Sequence, residues 1–330
     1  MEIKFLSRKD NPKEQSIEKL FYYLKNQFFA RSFHIQEVKN PYGPGILNMF
    51  RSMLYFRKHT GYELIHVTGQ IHFGILLLKS RKIVITVHDL GLYRPLGRFR
   101  KCFFLLFWVY LPFWKAHRII AISQKTKEEI VEIMPSVANK IIVIPNCLTS
   151  EVEADVFEKS NSIPSILIVG TRSNKNIERS IRACAGLAIR LKIVGELSSE
   201  QSNLLAEMNI LYDNYVSISE CELTDVYRES DILLFPSLYE GFGLPILEAQ
   251  AQNVLVITSN FEPMQSTSGR GALFVDPKDE NMIRDAILQA INMTTEEKIN
   301  LLQIGKDNVN AFNPSKIAEC YIKVYKDLGK

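Results

Sequence analysis

The chain has 330 residues, 46% of them hydrophobic and 23% charged, which excludes a disordered chain, a collagen-like repeat and a disulfide-stapled miniprotein. At about 100–200 residues per domain, the length points to two domains. The net charge of +4 conceals 23 Lys and Arg against 10 Asp and Glu in residues 1–150 (+13) and 17 against 26 in residues 151–330 (−9), so the first half either meets something anionic, such as nucleic acid, an acidic sugar polymer or a membrane surface, or presents a solvated basic face.

The N-terminus, MEIKFLSRKD, has no apolar signal core and reads as a first strand over 3–6. Amphipathic helices follow over 16–27 and 45–58, then strands over 64–67 and 83–87. The longest apolar run, 102–114, contains Pro112 and is too short for a membrane span, which needs about 20 residues. It predicts a helix around 102–110. Strands over 118–121 and 141–144 flank a helix over 125–134 and complete the basic half. The segment 149–164, TSEVEADVFEKSNSIP, is acidic, lacks apolar periodicity and marks the boundary. Beyond it, strands over 165–169, 191–194, 232–235, 255–258 and 272–274 alternate with helices over 176–187, 198–209, 223–230, 245–252, 279–292 and 295–310. Continuously apolar strands alternating with helices predict parallel sheets covered on both faces. The expected class is α/β: doubly wound domains at 1–150 and 164–312, a linker at 151–163, and an amphipathic last helix at 313–330 able to pack on either. The five cysteines (Cys102, Cys147, Cys184, Cys221, Cys320) are scattered with no CxxC or Cys/His cluster. Neither a zinc site nor a disulfide framework is indicated, and a reducing cytoplasm fits best.

Three stretches can carry chemistry. In DILLFPSLYEGFGLPILE, 231–248, a buried strand runs out at Pro236 into a loop with Glu240, Gly241 and Gly243; Pro245 then opens a helix that carries Glu248. The glycines let backbone approach a ligand closely. Free N–H groups at the helix start favour phosphate or developing negative charge, and the two carboxylates can accept hydrogen bonds from hydroxyls. That combination suits a sugar attached to phosphate. The same residues also read as a Gly-rich strand–helix turn with two surface glutamates. In ILIVGTRSNKNIERSIR, 166–182, Arg172 and Lys175 lie in the loop after a strand, where open α/β sheets bind ligands and where a fork and a point charge can hold a diphosphate. The alternative is a solvated basic loop. In IVITVHDL, 83–90, His88 can donate a hydrogen bond or manage a proton, or can be a satisfied histidine beside a capping Asp89. His66 and His72, in HVTGQIHF, are weaker candidates of the same kind. No GxxxxGK(S/T), strand-borne GxGxxG, GxSxG or HExxH occurs, and no close DxD or metal-ligand cluster supports a metal-held diphosphate.

SLYEGFGLPILEAQAQNVLVITSN closely resembles the signature of family 4 (group 1) retaining glycosyltransferases, a Glu, seven residues and a second Glu, here Glu240 and Glu248. VGTRSNKNIERSIRA resembles the phosphate-binding segment of that family and AISQKTKEEI a helix late in its first domain; HVTGQIHF and TVHDL resemble first-domain segments of members that build bacterial surface polysaccharides such as O-antigen, lipopolysaccharide and capsule. The resemblance implies a GT-B architecture of two Rossmann-like domains facing across a cleft, an N-terminal acceptor domain, a C-terminal nucleotide-sugar domain and a last helix that crosses back. It implies that Arg172 and Lys175 hold the diphosphate and that Glu248 binds the ribose. Glu240 and the backbone of Gly241, Phe242, Gly243 and Leu244 would hold the donor sugar, with Gly195 also on the donor side. His88 is placed beside the reacting sugar, and His66, His72 and Asp89 on the acceptor side. Two positions depart from the pattern: RKDNPKEQS stands where many members carry a Gly-Gly loop, and Gln70 stands where an Asp is expected.

The implied activity is transfer of a hexose-type sugar from a UDP- or GDP-sugar to a lipid-linked or oligosaccharide acceptor, with no cofactor or metal. A nucleotide-sugar 2-epimerase-like enzyme and a non-catalytic nucleotide-sugar-binding homologue are the alternatives. In RPLGRFRKCFFLLFWVYLPFWK, Arg94, Arg98, Arg100 and Lys101 adjoin Phe103, Phe104, Phe107, Trp108 and Trp114, a composition suited to an anionic membrane surface reached through residues 94–115. The expected location is the cytoplasm, peripheral on the inner face of the membrane. Nucleic-acid binding, raised by charge alone, has no supporting motif.

Overall fold

A computed structural model describes residues 1–9, 16–80, 82–91, 97–153, 155–156 and 163–329. Arg94, and with it the start of the 94–115 stretch, lies outside the described residues, as does most of RKDNPKEQS. The chain forms two units, Met1–Thr149 with Asn313–Lys330, and Ser150–Phe312.

The first unit holds strands β1 (Glu2–Ser7), β2 (His34–Lys39), β3 (Leu64–Val67), β4 (Ile83–Val87), β5 (Arg118–Ala121) and β6 (Ile141–Val143). They pair in parallel in the order β2-β1-β3-β4-β5-β6. Its helices are α1 (Ser16–Phe29), α2 (Ile46–His59), α3 (Arg98–Phe104), α4 (Leu111–Lys115) and α5 (Gln124–Ile133). The second unit holds β7 (Ser165–Val169), β8 (Arg190–Val194), β9 (Leu211–Tyr215), β10 (Ile232–Phe235), β11 (Leu255–Ser259) and β12 (Leu273–Val275), parallel in the order β12-β11-β10-β7-β8-β9. Its helices are α6 (Ile177–Cys184), α7 (Ser199–Glu207), α8 (Glu220–Arg228), α9 (Leu244–Ala251), α10 (Met264–Ser268), α11 (Glu280–Asn292) and α12 (Thr295–Val309). The last helix, α13 (Pro314–Gly329), packs against α1 and so belongs to the first unit.

Strand alternation sends neighbouring side chains to opposite faces, and each sheet therefore has a core on both sides. On one face of the first sheet, Ile65 and Ile85 pack with Met53, Phe56 and Phe113. On the other, Phe5 and Val84 pack with Leu24 and Phe28 of α1 and with Tyr321 and Tyr325 of α13.

Three expectations need correction. Strands β2 (HIQEVK) and β9 (LYDNY) were not anticipated: both are sheet edges, mostly exposed, and carry polar side chains in place of a continuous apolar run. The helix expected around 102–110 is a seven-residue α3 followed by a π-helical turn over Leu105–Tyr110. Pro112, in the first turn of α4, has no N–H to give the Trp108 carbonyl four residues back; that carbonyl instead faces His72 Nδ1 at 3.0 Å. Finally, the described part of the 151–163 segment is bonded into the second unit. Glu153 N donates to Ala251 O (2.9 Å), Gln252 Nε2 to Glu151 O (2.6 Å) and Asn253 Nδ2 to Asp155 O (2.7 Å).

Candidate active site

In the second sheet the chain runs outward from β7 to β9 and then returns to place β10 on the other side of β7. The loops after β7 and β10 therefore flank the point where strand order reverses, the usual ligand position in open α/β sheets. Side-chain amides lock these loops together. Asn174 Nδ2 donates to Tyr239 O (3.0 Å), and Leu238 N donates to Asn174 O (2.8 Å). Asn176 holds the left-handed conformation (φ 60°) at the start of α6 and donates to Pro236 O (3.1 Å) and Pro277 O (2.6 Å). Asn tolerates that conformation better than most residues. The signal for both was present in SNKN, yet nothing in it named their partners.

Arg172 opens the turn over Ser173–Lys175. The Lys175 stem runs over Gly170, where an added Cβ would lie 3.0 Å from Lys175 Cε. Its ammonium stands 2.7 Å from Glu240 Oε1 and 4.4 Å from the centre of the Phe235 ring. Both members of this ion pair are largely sheltered, with side chains 17% and 14% exposed. Gly243 precedes α9 at φ 98°, and Pro245, which carries no N–H, sits in its first turn; Ile246 N donates to Gly243 O (3.0 Å) and closes that turn. The Phe242 carbonyl accepts from Thr267 Oγ1 (2.7 Å), and its ring packs edge-on against Phe312. The Phe242 side chain is therefore an anchor, and any ligand contact there falls to backbone. Glu248 is buried on α9, not on the surface, and accepts from Tyr227 Oη (2.9 Å). Burial and the neighbouring carboxylate push the Tyr227 phenol well above its ordinary range, so it stays a donor. Tyr227 lies on α8 and escaped the sequence reading. Gly195 (φ 134°) follows β8, and an added Cβ would meet Thr171 Cγ2 at 3.0 Å, which gives it a packing reason.

In the first unit, His88 directly follows β4 and is 7% exposed. Its Nε2 lies 2.9 Å from Thr68 O; a carbonyl can only accept, so Nε2 carries the proton. Burial pulls the imidazole down to about 4, against a smaller upward pull from this hydrogen bond. The ring is neutral near pH 7, and Nδ1 is left as an acceptor. Asp89 Oδ2 accepts from Gln70 Nε2 (3.1 Å) and Asp89 Oδ1 from Gly91 N (3.0 Å), while Trp108 Nε1 donates to Gln70 O (3.0 Å).

Two acceptor-side candidates are core residues instead. His66 is fully buried, with Nδ1 2.7 Å from Tyr325 Oη and Nε2 2.8 Å from Thr86 Oγ1. His72 is buried against Phe113 with Nδ1 committed to Trp108 O. Arg172, Lys175, Glu240 and Gly241–Leu244 thus lie beyond the carboxyl ends of the interior strands β7 and β10, with Glu248 on the α9 helix that follows. In the first sheet, His88 and Asp89 follow the carboxyl end of interior strand β4 and Gln70 that of β3. Among the described residues, no three His, Cys, Asp or Glu cluster as metal ligands.

Residues 151–306 match the glycosyl transferases group 1 model, and residues 6–151 match that of Glycosyltransferase Family 4. The chain belongs to the family 4 (group 1) glycosyltransferases. Its fold is GT-B, with two parallel six-stranded sheets and flanking helices. It superposes on sucrose-phosphate synthase from Thermosynechococcus elongatus at a TM-score of 0.77, with 20% identity and 99% of each chain covered. HepE of Anabaena, determined with UDP and glucose, gives 0.75 at 14% identity, over 99% of this chain and 100% of that one. Among curated relatives, the O-antigen chain mannosyltransferase RfbU of Salmonella typhimurium strain LT2 is 28% identical over 227 residues, 66% of this chain and 62% of that protein. The O-antigen chain mannosyltransferase B of Escherichia coli is 40% identical over 70 residues, 21% of this chain. This chain therefore spans less than two-thirds of the length of these relatives, 62% and 18%.

Proposed function

We propose that the chain is a retaining glycosyltransferase that moves a hexose-type sugar from a UDP- or GDP-sugar to a lipid-linked or oligosaccharide acceptor in surface-polysaccharide synthesis. The O-antigen relatives support the pathway, and the UDP and glucose of HepE support the donor class. The single observation that carries the reading is the Lys175–Glu240 ion pair, 2.7 Å apart at the strand-order reversal and on the loop that leads into α9.

Breaking the bond between sugar and phosphate leaves an anionic diphosphate and an oxocarbenium-like sugar. Lys175, Arg172 and the positive end of the α9 dipole hold the diphosphate and stabilise its charge as it departs, without a metal ion; fixed charges of this kind are usually the largest catalytic contribution. With donor bound, Lys175 shares its charge between Glu240 and phosphate, and Glu240 accepts from a sugar hydroxyl. Glu248, oriented by Tyr227, accepts from the ribose hydroxyls. Neutral His88 accepts a hydrogen bond at Nδ1 and does not supply a proton. The acceptor hydroxyl attacks from the side the diphosphate leaves, and a phosphate oxygen takes its proton.

Thermal unfolding in the presence of UDP, GDP, UDP-glucose and GDP-mannose tests the donor. One base should raise the midpoint, and Lys175→Ala should abolish the rise. Glu240→Gln should keep the rise and reduce transfer by about 10²–10³, the scale of losing one preorganised charge-stabilising group. No response to any nucleotide would overturn the reading. Turnover of a nucleotide sugar with no acceptor present would identify an epimerase instead.

A further inference from the structure

The loop that leads into α9 has little stiffness of its own. Phe242 stands between Gly241 and Gly243, and glycine takes positive φ as readily as negative. The Phe242–Gly243 peptide can therefore turn over. Its carbonyl and N–H point in opposite directions across a trans peptide, so a turn of the plane reverses both. The Phe242 ring is anchored on Phe312, but a ring contact does not orient a peptide plane. The hydroxyl of Thr267 does. Thr267 is 1% exposed on α10, and its Oγ1 donates to the Phe242 carbonyl at 2.7 Å. With that carbonyl drawn toward Thr267, the Gly243 N–H points away from it.

The five-residue α10 is itself held from α9 and α12. Asn308 on α12 donates from Nδ2 to Thr267 O (2.8 Å) and to Gln250 Oε1 (2.9 Å). Gln250 on α9, 3% exposed, donates from Nε2 to Ser268 O (2.9 Å) and Gly271 O (3.1 Å). Carbonyl oxygens only accept, so the orientation of both amides is fixed. Glycines make the room for this arrangement. An added Cβ on Gly305 would lie 3.0 Å from Gln250 Cγ, and one on Gly271 2.8 Å from Gln250 Nε2. A buried network whose donors are satisfied holds a single geometry. This one runs from α12 through α10 to the backbone of the loop.

We propose that Thr267 is a positioning residue for the donor: its hydroxyl fixes the Phe242–Gly243 peptide so that the Gly243 N–H is presented to the sugar, and Asn308 and Gln250 hold Thr267 in place. The role in binding rests on the transferase reading; the bridge to the loop does not. Thr267→Val keeps the side-chain volume and removes the hydroxyl. In the full chain without ligand, hydrogen exchange over 239–247 should quicken about five- to ten-fold, the scale of one hydrogen bond. With a nucleotide sugar, the donor KM should rise about ten-fold while the acceptor KM and the affinity for the nucleotide alone hold. Thr267→Ser, which keeps the hydroxyl, should restore both readouts. Asn308→Asp, which replaces donors by a charged acceptor, should move both in the direction of Thr267→Val. Unchanged exchange in Thr267→Val would overturn the bridge. Quicker exchange with an unchanged donor KM would overturn the role in binding and leave Thr267 a packing group. Quicker exchange in a protein that ignores every nucleotide sugar would uphold the bridge and overturn the transferase reading, and with it the role in binding.

Discussion

Tyr227 and Glu248 show how a buried carboxylate is held in place. Glu248 is 9% exposed on α9, and the Tyr227 hydroxyl is one of the groups that holds it, at 2.9 Å. Tyr227→Phe removes that donor and leaves the rest of the ring in place. Leaving a buried acceptor short of a partner costs about 1–3 kcal/mol. We expect a fall of that size in chemical-denaturation stability and a weaker titration of nucleotide into the variant, with Lys175 and Glu240 unaffected. Unchanged stability and unchanged nucleotide affinity together would remove Tyr227 from any positioning role. The strand-end placement of Arg172, Lys175 and Glu240, with Glu248 on the next helix, was legible because they sit close to strands whose ends are easy to find. Tyr227 was not, since it reaches Glu248 from another helix. The acceptor-side histidines misled for a related reason: HVTGQIHF places His66 and His72 near a strand end, but only packing shows His66 under α13 and His72 completing a carbonyl that Pro112 cannot.

At the scale of elements, the central strands were readable because both faces are buried and the run is apolar, whereas edge strands β2 and β9 need only pair on one side and can be polar. The π-turn over Leu105–Tyr110 was invisible because its cause is the backbone consequence of Pro112 together with a histidine thirty-six residues away in sequence from Trp108. Close approach is equally hidden. Ahead of β12, an added Cβ on Gly271 would lie 2.5 Å from Gly305 Cα on α12. The obstacle is backbone and cannot rotate away. Gly271→Ala should therefore cost about 1–3 kcal/mol, as overpacking does, seen as an earlier denaturant midpoint of the second unit. A midpoint equal to that of the unaltered protein would mean that α12 shifts freely.

For the molecule as a whole, the change of charge sign near residue 150 marked the division into two units, and the amphipathic pattern of the last helix could not say which unit it joins. All six histidines lie in the first unit. Burial pulls His66 to about 3 and His72 and His88 to about 4, against about 6.5 in an unfolded chain. Between those values the unfolded state binds more protons, so stability rises with pH and is lost as pH falls from about 6.5. At pH 5 the loss is on the order of 2 kcal/mol for each of the three. Calorimetry across pH 7 to pH 5 should show the first unit's transition moving down while the second unit's holds. Parallel movement of both transitions would contradict this assignment. The return of α13 carries a last consequence. Its Tyr321 and Tyr325 fill a core whose other members include Phe5, Phe28 and Val84 from far upstream. During translation the second unit has every one of its residues before 313, while the opening stretch of the polypeptide must wait, unfinished, for the closing one to leave the ribosome. A nonsense codon near residue 312 would thus spare the half made later and cripple the half made first.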